Sequence, residues 1–325
     1  MSESCGELVG AIEAGGTKFI CAVGGRSGRD LLVRQQFATG ADPVRLMAQV
    51  VRWFGVQQER WGRLAAVGVA SFGPLDLQPG SGTWGCITTT PKPGWQCADL
   101  AGPLLRGFPG VRLALDTDVN GAALGEQRWG AARGLEDFVY VTVGTGIGGG
   151  GMSGGRLLHG LMHPEMGHML LPGVAGDSFP GVCPFHGRCW EGLCSGPAIA
   201  KRAGCAVEEL SADDAAWSVT IRCMAQAMMN LTCVLSPRRI VLGGSVRKAG
   251  RLGESEFFRR LRLETDELLA GYIGALSLRA GCLEEYLVAP QLGDDAGVCG
   301  ALALGQDALL GVCQGSGVRG FCSFF

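Results

Sequence analysis

Residues 8–24 read LVGAIEAGGTKFICAVG: two apolar runs, each bounded by glycine, on either side of Gly15-Gly16-Thr17-Lys18. Continuous apolar runs between glycines fit buried strands joined by a tight turn. Backbone N–H groups exposed in such a turn form an anion-binding nest. Only four of the 28 basic residues are lysine, so Lys18 in this turn is not compositional background. Two further glycine turns follow apolar strands. Gly144–Gly151 comes after Phe138–Val143, and Gly243-Gly244 comes after 239–242. None has the spacing of a P-loop or a dinucleotide fingerprint in its proper setting. Three strand-to-glycine turns, two of them carrying a threonine, point instead to a nucleotide gripped between two lobes.

Outward from this stretch the chain alternates helices and strands. Val44, Met47, Val50, Val51 and Phe54 recur at helical spacing in 43–63. Leu64–Ala70 reads as a strand ending in the turn Phe72-Gly-Pro. Residues 111–116 form another strand, leading into a helix over Gly121–Trp129. Gly144–Gly151 is too glycine-rich for regular structure on this reading. A helix spans 215–235, and the last helix runs from near Asp294 to Leu310, before a loose Gly/Ser-rich tail from Gly311.

Composition narrows the function classes. The chain has 325 residues, enough for two domains with real cores. Its 47% apolar and 18% charged content excludes a mostly disordered chain. A net charge of −2 argues against a general nucleic-acid binder. Glycine, at 55 residues, is far above the usual share of about 7%, without a collagen period. No apolar run reaches membrane-spanning length, and the first 17 residues carry no Lys or Arg for a signal peptide. The 14 cysteines are mostly scattered, which predicts reduced thiols in the cytoplasm.

Two clusters carry chemistry. Cys183, His186 and Cys189 are spaced three apart, and with His168 they make a Cys₂His₂ set within 22 positions. That set suits a structural Zn²⁺ with no open position. His163 competes for the fourth place, but it precedes Pro164, which holds it extended. The other cluster is Asp116-Thr117-Asp118-Val119-Asn120, at the carboxyl end of a strand, where ligands bind in α/β folds. Asp118 fits a general base, a metal ligand or a helix N-cap.

These motifs together resemble the ROK family of sugar kinases (repressors, open reading frames and kinases), and within it the bacterial fructokinase branch. The resemblance runs from about Val9 to Leu304. It is carried by Glu13-Ala-Gly-Gly-Thr-Lys18, Phe72-Gly-Pro-Leu-Asp76, Thr90-Pro-Lys-Pro-Gly-Trp95, Thr117-Asp-Val-Asn120 and Gly144-Thr-Gly-Ile-Gly148. His163-Pro-Glu-Met-Gly-His168, Cys183-Pro-Phe-His-Gly-Arg-Cys189-Trp-Glu191-Gly and Gly293-Asp-Asp-Ala296 complete it.

The resemblance implies an α/β, actin-like ATPase (ribonuclease H-like) fold of two lobes with an active-site cleft between them. The small lobe would be 1–117, joined by 305–325, and the large lobe 118–304. It also implies ATP-dependent phosphorylation of a hexose with Mg²⁺, a structural Zn²⁺ and a homodimer. Asp118 matches the catalytic base. Glu165, His168 and Glu191 match sugar-binding residues, and Asn120 lines the sugar pocket. Gly15, Gly16, Thr17 and Lys18 match the first phosphate loop, and Thr145 and Gly146 the second. Pro197, Gly243, Gly244 and Ser245 lie where the family binds adenosine. His168, Cys183, His186 and Cys189 are the implied zinc ligands.

Glu13 stands where the wider family has Asp, and Cys-Pro-Phe-His where it has Cys-x-Cys-Gly. Both variants resemble the fructokinase branch. Ser245 replaces a more usual third glycine. A ROK repressor would need a DNA-binding domain before the first strand, which begins by Leu8. The implied reaction is fructose plus ATP giving fructose 6-phosphate. The alternatives are a kinase for glucose, mannose or an N-acylhexosamine, or a sugar-binding protein without turnover. Trp95 reads equally as a sugar-stacking ring or a core anchor.

Overall fold

The computed structural model describes residues 7–276, 282–312 and 318–319. Backbone contacts divide the chain into two compact units. The first comprises Met1–Gly134, Arg156–Pro164 and Asp294–Phe325; the second comprises Leu135–Gly155 and Glu165–Gly293.

In the first unit β1 (Leu8–Ala14), β2 (Lys18–Gly24) and β3 (Leu31–Ala38) form an antiparallel meander. Helix α1 (Pro43–Trp61) follows; Asp42 caps it by accepting from Arg45 N–H, and Pro43 opens its first turn. It buries Leu46, Met47, Val50 and Phe54, whereas Val44 is 81% exposed and lies off the apolar stripe. Strand β4 (Leu64–Ser71) runs parallel to β1 and is buried along its whole length, as an inner strand should be. Short helix α2 (Ala101–Gly107) leads to β5 (Arg112–Thr117), parallel to β4. The sheet order is β5-β4-β1-β2-β3, with the two-residue strand Val318–Arg319 antiparallel outside β5. Apart from that strand, Gly311 and Val312, the tail expected to be loose lies outside the described residues.

Trp95 is a core anchor. It is fully buried against Phe19 and Phe72, and its indole N–H donates to Gly40 O at 2.9 Å. It therefore presents no ring face to a sugar.

Helix α3 (Asp118–Trp129) leaves β5 without a loop, and the chain then enters the second unit. There β6 (Phe138–Val143) pairs antiparallel with β7 (Ile147–Ser153). The expectation of irregular backbone over Gly144–Gly151 is corrected here: only the turn at its start is irregular. Backbone pairing with β6 needs no side chains, and the glycines give space to neighbours. A Cβ at Gly149 would lie 2.6 Å from Met166 Sδ. After a return to the first unit at β8 (Arg156–Leu157), the second unit adds α4 (Trp190–Cys194), α5 (Gly196–Ala203) and α6 (Ala215–Leu235). It continues with β9 (Ile240–Gly243), α7 (Glu254–Leu269), α8 (Cys282–Tyr286) and β10 (Leu287–Val288). Within this unit the strand order is β10-β9-β6-β7, with β9 parallel to both β6 and β10.

The chain ends its excursion with α9 (Ala296–Leu310), which packs on α3, β1 and β4 of the first unit. This contact assigns both α3 and α9 to the first unit, so that unit extends to Gly134 and resumes at Asp294, not at the expected 117/118 and 304/305 boundaries. The helices approach to backbone contact. A Cβ at Gly300 would land on the Gly121 carbonyl oxygen, and one at Gly68 of β4 on the Ala301 carbonyl oxygen.

Gly300→Ala is expected to destabilise the protein by about 1–3 kcal/mol or more, through overpacking against backbone that cannot move aside. Gly55→Ala, on α1 with no atom within 4 Å of the added carbon, is expected to stabilise it by about 0.5–1 kcal/mol. Urea unfolding of the two variants checks both; equal shifts would contradict the packing argument.

Candidate active site

In the first unit the site begins where β5 becomes α3. Thr117 is the N-cap: its Oγ1 accepts from Asn120 N–H at 3.1 Å. That leaves Asp118 at the first helical position, where its Oδ1 accepts from Val119 N–H at 2.9 Å. The capping role considered for Asp118 thus belongs to its neighbour. Asp118 is half-buried, and burial pushes its carboxyl up to about 6, against the opposing pull of backbone hydrogen bonds. Glu13 at the end of β1 is pushed up to about 7, first by burial and then by the charge of Asp118; Lys18 and the Val298 N–H pull it down. Glu13 lies against α9, where a Cβ at Gly297 would come within 2.6 Å of its Oε1.

Asn120 does not present its amide at the surface. It is fully buried, donating from Nδ2 to Asp116 Oδ1 at 2.9 Å and to Leu158 O at 3.3 Å. Asp116 is also buried and is bonded by His159 Nε2, 2.9 Å from its Oδ2. His159 was not singled out from the sequence. Its signal was faint: one of four histidines, outside the 163–186 cluster, with no partner nearby in sequence.

The first glycine turn is closed by Gly15 N–H donating to Lys18 O at 2.9 Å. Thr39 braces it, donating from N–H to Thr17 O at 3.0 Å and from Oγ1 to Gly15 O at 2.8 Å. Gly16, Thr17 and Lys18 stand exposed at the tip.

In the second unit three predicted segments meet at one end of the sheet. Gly144 N–H donates to Gly146 O at 2.9 Å, closing the second turn with Thr145 exposed. Gly196 N–H donates to Gly144 O at 2.8 Å, which brings the start of α5 and Pro197 alongside. A Cβ on Gly144 would lie 3.6 Å from Ser245 Oγ, and Gly243-Gly244 precede that serine at the end of β9. Glu191, in the first turn of α4, accepts from Ile147 N–H through Oε2 at 2.9 Å, so its carboxylate is tied to the second turn. Glu165 lies exposed just before the single helical turn Met166–His168.

His168, Cys183, His186 and Cys189 gather in the same unit, with one donor atom from each lying within 4.8 Å of all the others. Cys183 Sγ is 3.7 Å from His168 Nδ1 and 3.8 Å from His186 Nδ1; Cys189 Sγ is 3.5 Å from His168 Nδ1. A tetrahedral zinc with Zn–S of about 2.3 Å and Zn–N of about 2.0–2.1 Å has S···N edges of about 3.6 Å. The donor set fits that ion in both chemistry and spacing. His163 takes no part: its Nε2 accepts from Leu75 N–H at 3.1 Å in the first unit.

The sequence profile of the ROK family matches residues 9–308. The chain belongs to the ROK family. It is 41% identical over 302 residues to a fructokinase of Zymomonas mobilis subsp. mobilis, covering 92% of this chain and 96% of that protein. It is 39% identical over 302 residues to a fructokinase of Pediococcus pentosaceus, covering 93% and 99%. Among solved structures it is similar to the ROK hexokinase from Thermus thermophilus, with a TM-score of 0.72, 26% identity, and coverage of 92% of this chain and 97% of that one. The fold is therefore the actin-like ATPase fold that the motifs implied.

The position of Asp118 has a measurable consequence. Its carboxyl binds a proton more tightly folded than unfolded, so its cost to stability is present above about pH 6 and fades as pH falls toward its ordinary 3.8. Asp118→Asn keeps the Val119 bond and removes the charge. It is expected to raise unfolding free energy at pH 8 by on the order of 1–3 kcal/mol, with the gain shrinking by pH 5. Denaturation at the two pH values checks this; a variant less stable than the parent at pH 8 would contradict it.

Proposed function

We propose that this chain phosphorylates D-fructose at its 6-hydroxyl, with MgATP as the phosphoryl donor. The observation that carries the reading is Asp118. It is an ionisable, half-buried carboxylate at the carboxyl end of a parallel strand, with the capping duty taken by Thr117. Phosphoryl transfer asks little covalent chemistry of a protein; it needs a group to take the proton of the attacking hydroxyl, and fixed dipoles for the phosphates. Asp118 takes that proton. The turns at Gly15–Lys18 and Thr145–Gly146 present backbone N–H groups to phosphate oxygens. Pro197, Gly243, Gly244 and Ser245 line the adenosine side. Mg²⁺ arrives with ATP and neutralises charge on its phosphates. Asn120, buried and bonded to Asp116, supports the sugar pocket from behind.

Glu165, His168 and Glu191 hold the sugar. His168 turns Nδ1 to the two sulfurs, which leaves Nε2 for a sugar hydroxyl. Fructose is favoured over glucose, mannose or an N-acylhexosamine by the fructokinase relatives, which are 39–41% identical over nearly the whole chain. An inactive sugar-binding protein would have no need of a carboxylate kept in so unfavourable a place. The family resemblance supports a homodimer. A cytoplasmic location accords with the ATP substrate and with the free state of all eleven described cysteines. No described helix is long and apolar enough to cross a membrane.

A coupled ADP-release assay over a sugar panel should show fructose as the best acceptor, with mannose and glucose slower. Strong glucose turnover without fructose turnover would overturn the substrate assignment. In the same assay Asp118→Asn should lower kcat by roughly 10²–10⁴-fold while ATP still binds, and Asp116→Asn should be less damaged. An Asp118→Asn variant retaining more than about a tenth of kcat would remove Asp118 as the base.

His168, Cys183, His186 and Cys189 are proposed to hold one structural Zn²⁺. These four residues would hold the ion so that it ties together the segments carrying Glu165 and Glu191, and its loss should lower activity and thermal stability together. Metal analysis of purified protein, before and after chelation, checks this; a fully active sample without zinc would contradict it.

A further inference from the structure

We propose that His159 is a positioning residue for phosphoryl transfer: held against the buried Asp116 carboxylate, it fixes the Thr117–Asp118 turn that presents the base. The inference rests on the reading of Asp118 as that base.

Asp116 is only 4% exposed and is shared among three pieces of chain. Its Oδ1 accepts from Thr117 N–H at 2.7 Å and from Asn120 Nδ2 at 2.9 Å. His159 Nε2 lies 3.2 Å from Oδ1 and 2.9 Å from Oδ2. A carboxylate only accepts, so Nε2 carries the proton in this contact. Asn120 Nδ2 also reaches Leu158 O at 3.3 Å, a second tie to the same segment. The carboxylate thus joins the end of β5, the first turn of α3 and the Leu158–His159 segment. Without His159 the Oδ2 atom loses its donor, and a buried carboxylate oxygen without one is costly. The carboxylate would turn or take up a proton. Either response disturbs Oδ1, which holds the N–H of the capping residue directly before Asp118.

The surroundings direct His159 inward. It lines a cavity of about 230 Å³ with Asp76, Gln78, Thr88 and His163. Those groups are already bonded to protein: Asp76 by Ser81, Thr83 and the Gln78 N–H, Gln78 to Leu161 O, Thr88 to Pro74 O, and His163 by the Leu75 N–H. No convergent set of open polar groups awaits a ligand there. Burial alone would lower the His159 imidazole, yet its bond to Asp116 and that residue's charge hold it above its ordinary value. The titratable groups around it are Asp116, His163 and, across the cavity, Asp76.

The test measures kcat and both KM values for the parent, His159→Ala, His159→Gln, Asp116→Asn and the His159→Ala/Asp116→Asn double variant. Glutamine can place an N–H donor near the position of Nε2. His159→Ala is expected to lower kcat about 10–100-fold, the scale of a catalytic group displaced by about 1 Å, with KM for fructose and ATP moved less than about threefold. His159→Gln should recover most of that loss. The double variant should be no worse than the poorer single, because both act through one contact. An unchanged kcat in His159→Ala, no recovery with glutamine, or additive losses would each overturn the proposal. Should the alanine variant fail to fold, the glutamine variant decides: near-parental kcat supports the proposal, and a kcat as low as that of Asp116→Asn overturns it. Failure of the underlying reading is separate, since it would appear as turnover surviving Asp118→Asn.

Discussion

The close crossing of α9 over α3 and β4 sets the geometry on which the first unit depends. Hydrogen is the only side chain that fits at Gly300 against the Gly121 carbonyl and at Gly68 against the Ala301 carbonyl. Backbone-to-backbone contact of this kind leaves no rotamer to relax, so the helices can take up very few relative positions. The consequence reaches the site at both ends. Asp118 opens α3, and Glu13 ends β1 against the first turn of α9. The spacing between the two carboxylates is therefore inherited from glycine packing that touches neither of them.

That placement carries a cost the fold accepts. Two carboxyls in one poorly solvated region, both disfavoured by burial and Glu13 further by the charge of Asp118, reduce net stability at neutral pH. A protein selected for stability alone would put an amide or an apolar side chain at both positions. If Asp118 is the base, as proposed, its raised pKa would make it a better proton acceptor than a fully exposed carboxylate of ordinary acidity, because acceptor strength rises with pKa while the ionised form remains available. The same logic separates Asp118 from Asp116. Asp116 is surrounded by donors and structurally committed, whereas Asp118 is bonded by its own first helical turn.

Much of this was legible in the chain. The strands at β1, β2, β4, β5, β6 and β9 follow from apolar runs, and the four clustered metal donors follow from their spacing. What escaped did so for physical reasons. Strand β3 lies on a solvated edge, and its short apolar run Leu31-Leu32-Val33 is cut off by Arg34, Gln35 and Gln36, which hides it as a strand. Strand β7 is built from glycines, whose pairing is written in its partner β6. Trp95 sits in a motif that suited either reading, and only its burial against Phe19 and Phe72 decides it. The grouping of α3 with the first unit rests on its contact with α9, far away in sequence, which no local pattern near residue 117 reveals. The link between His159 and Asp116 spans 43 positions with no pattern to announce it.

The two phosphate-type turns share one construction. Each closes on its own backbone, Gly15 to Lys18 and Gly144 to Gly146, and each leaves a threonine exposed at the tip. On the proposed assignment, the contacts they would offer a phosphate are main-chain groups, which substitution alters little so long as the glycines remain. The groups assigned to the sugar are side chains, Glu165, His168 and Glu191, and they sit on segments held by separate devices: the metal-type cluster for His168, and the Ile147 N–H for Glu191. On that assignment, the nucleotide side of the reaction would be built into the fold. On the same assignment the sugar side would be built onto it, where a change of loop would retune hydroxyl recognition without disturbing the turns.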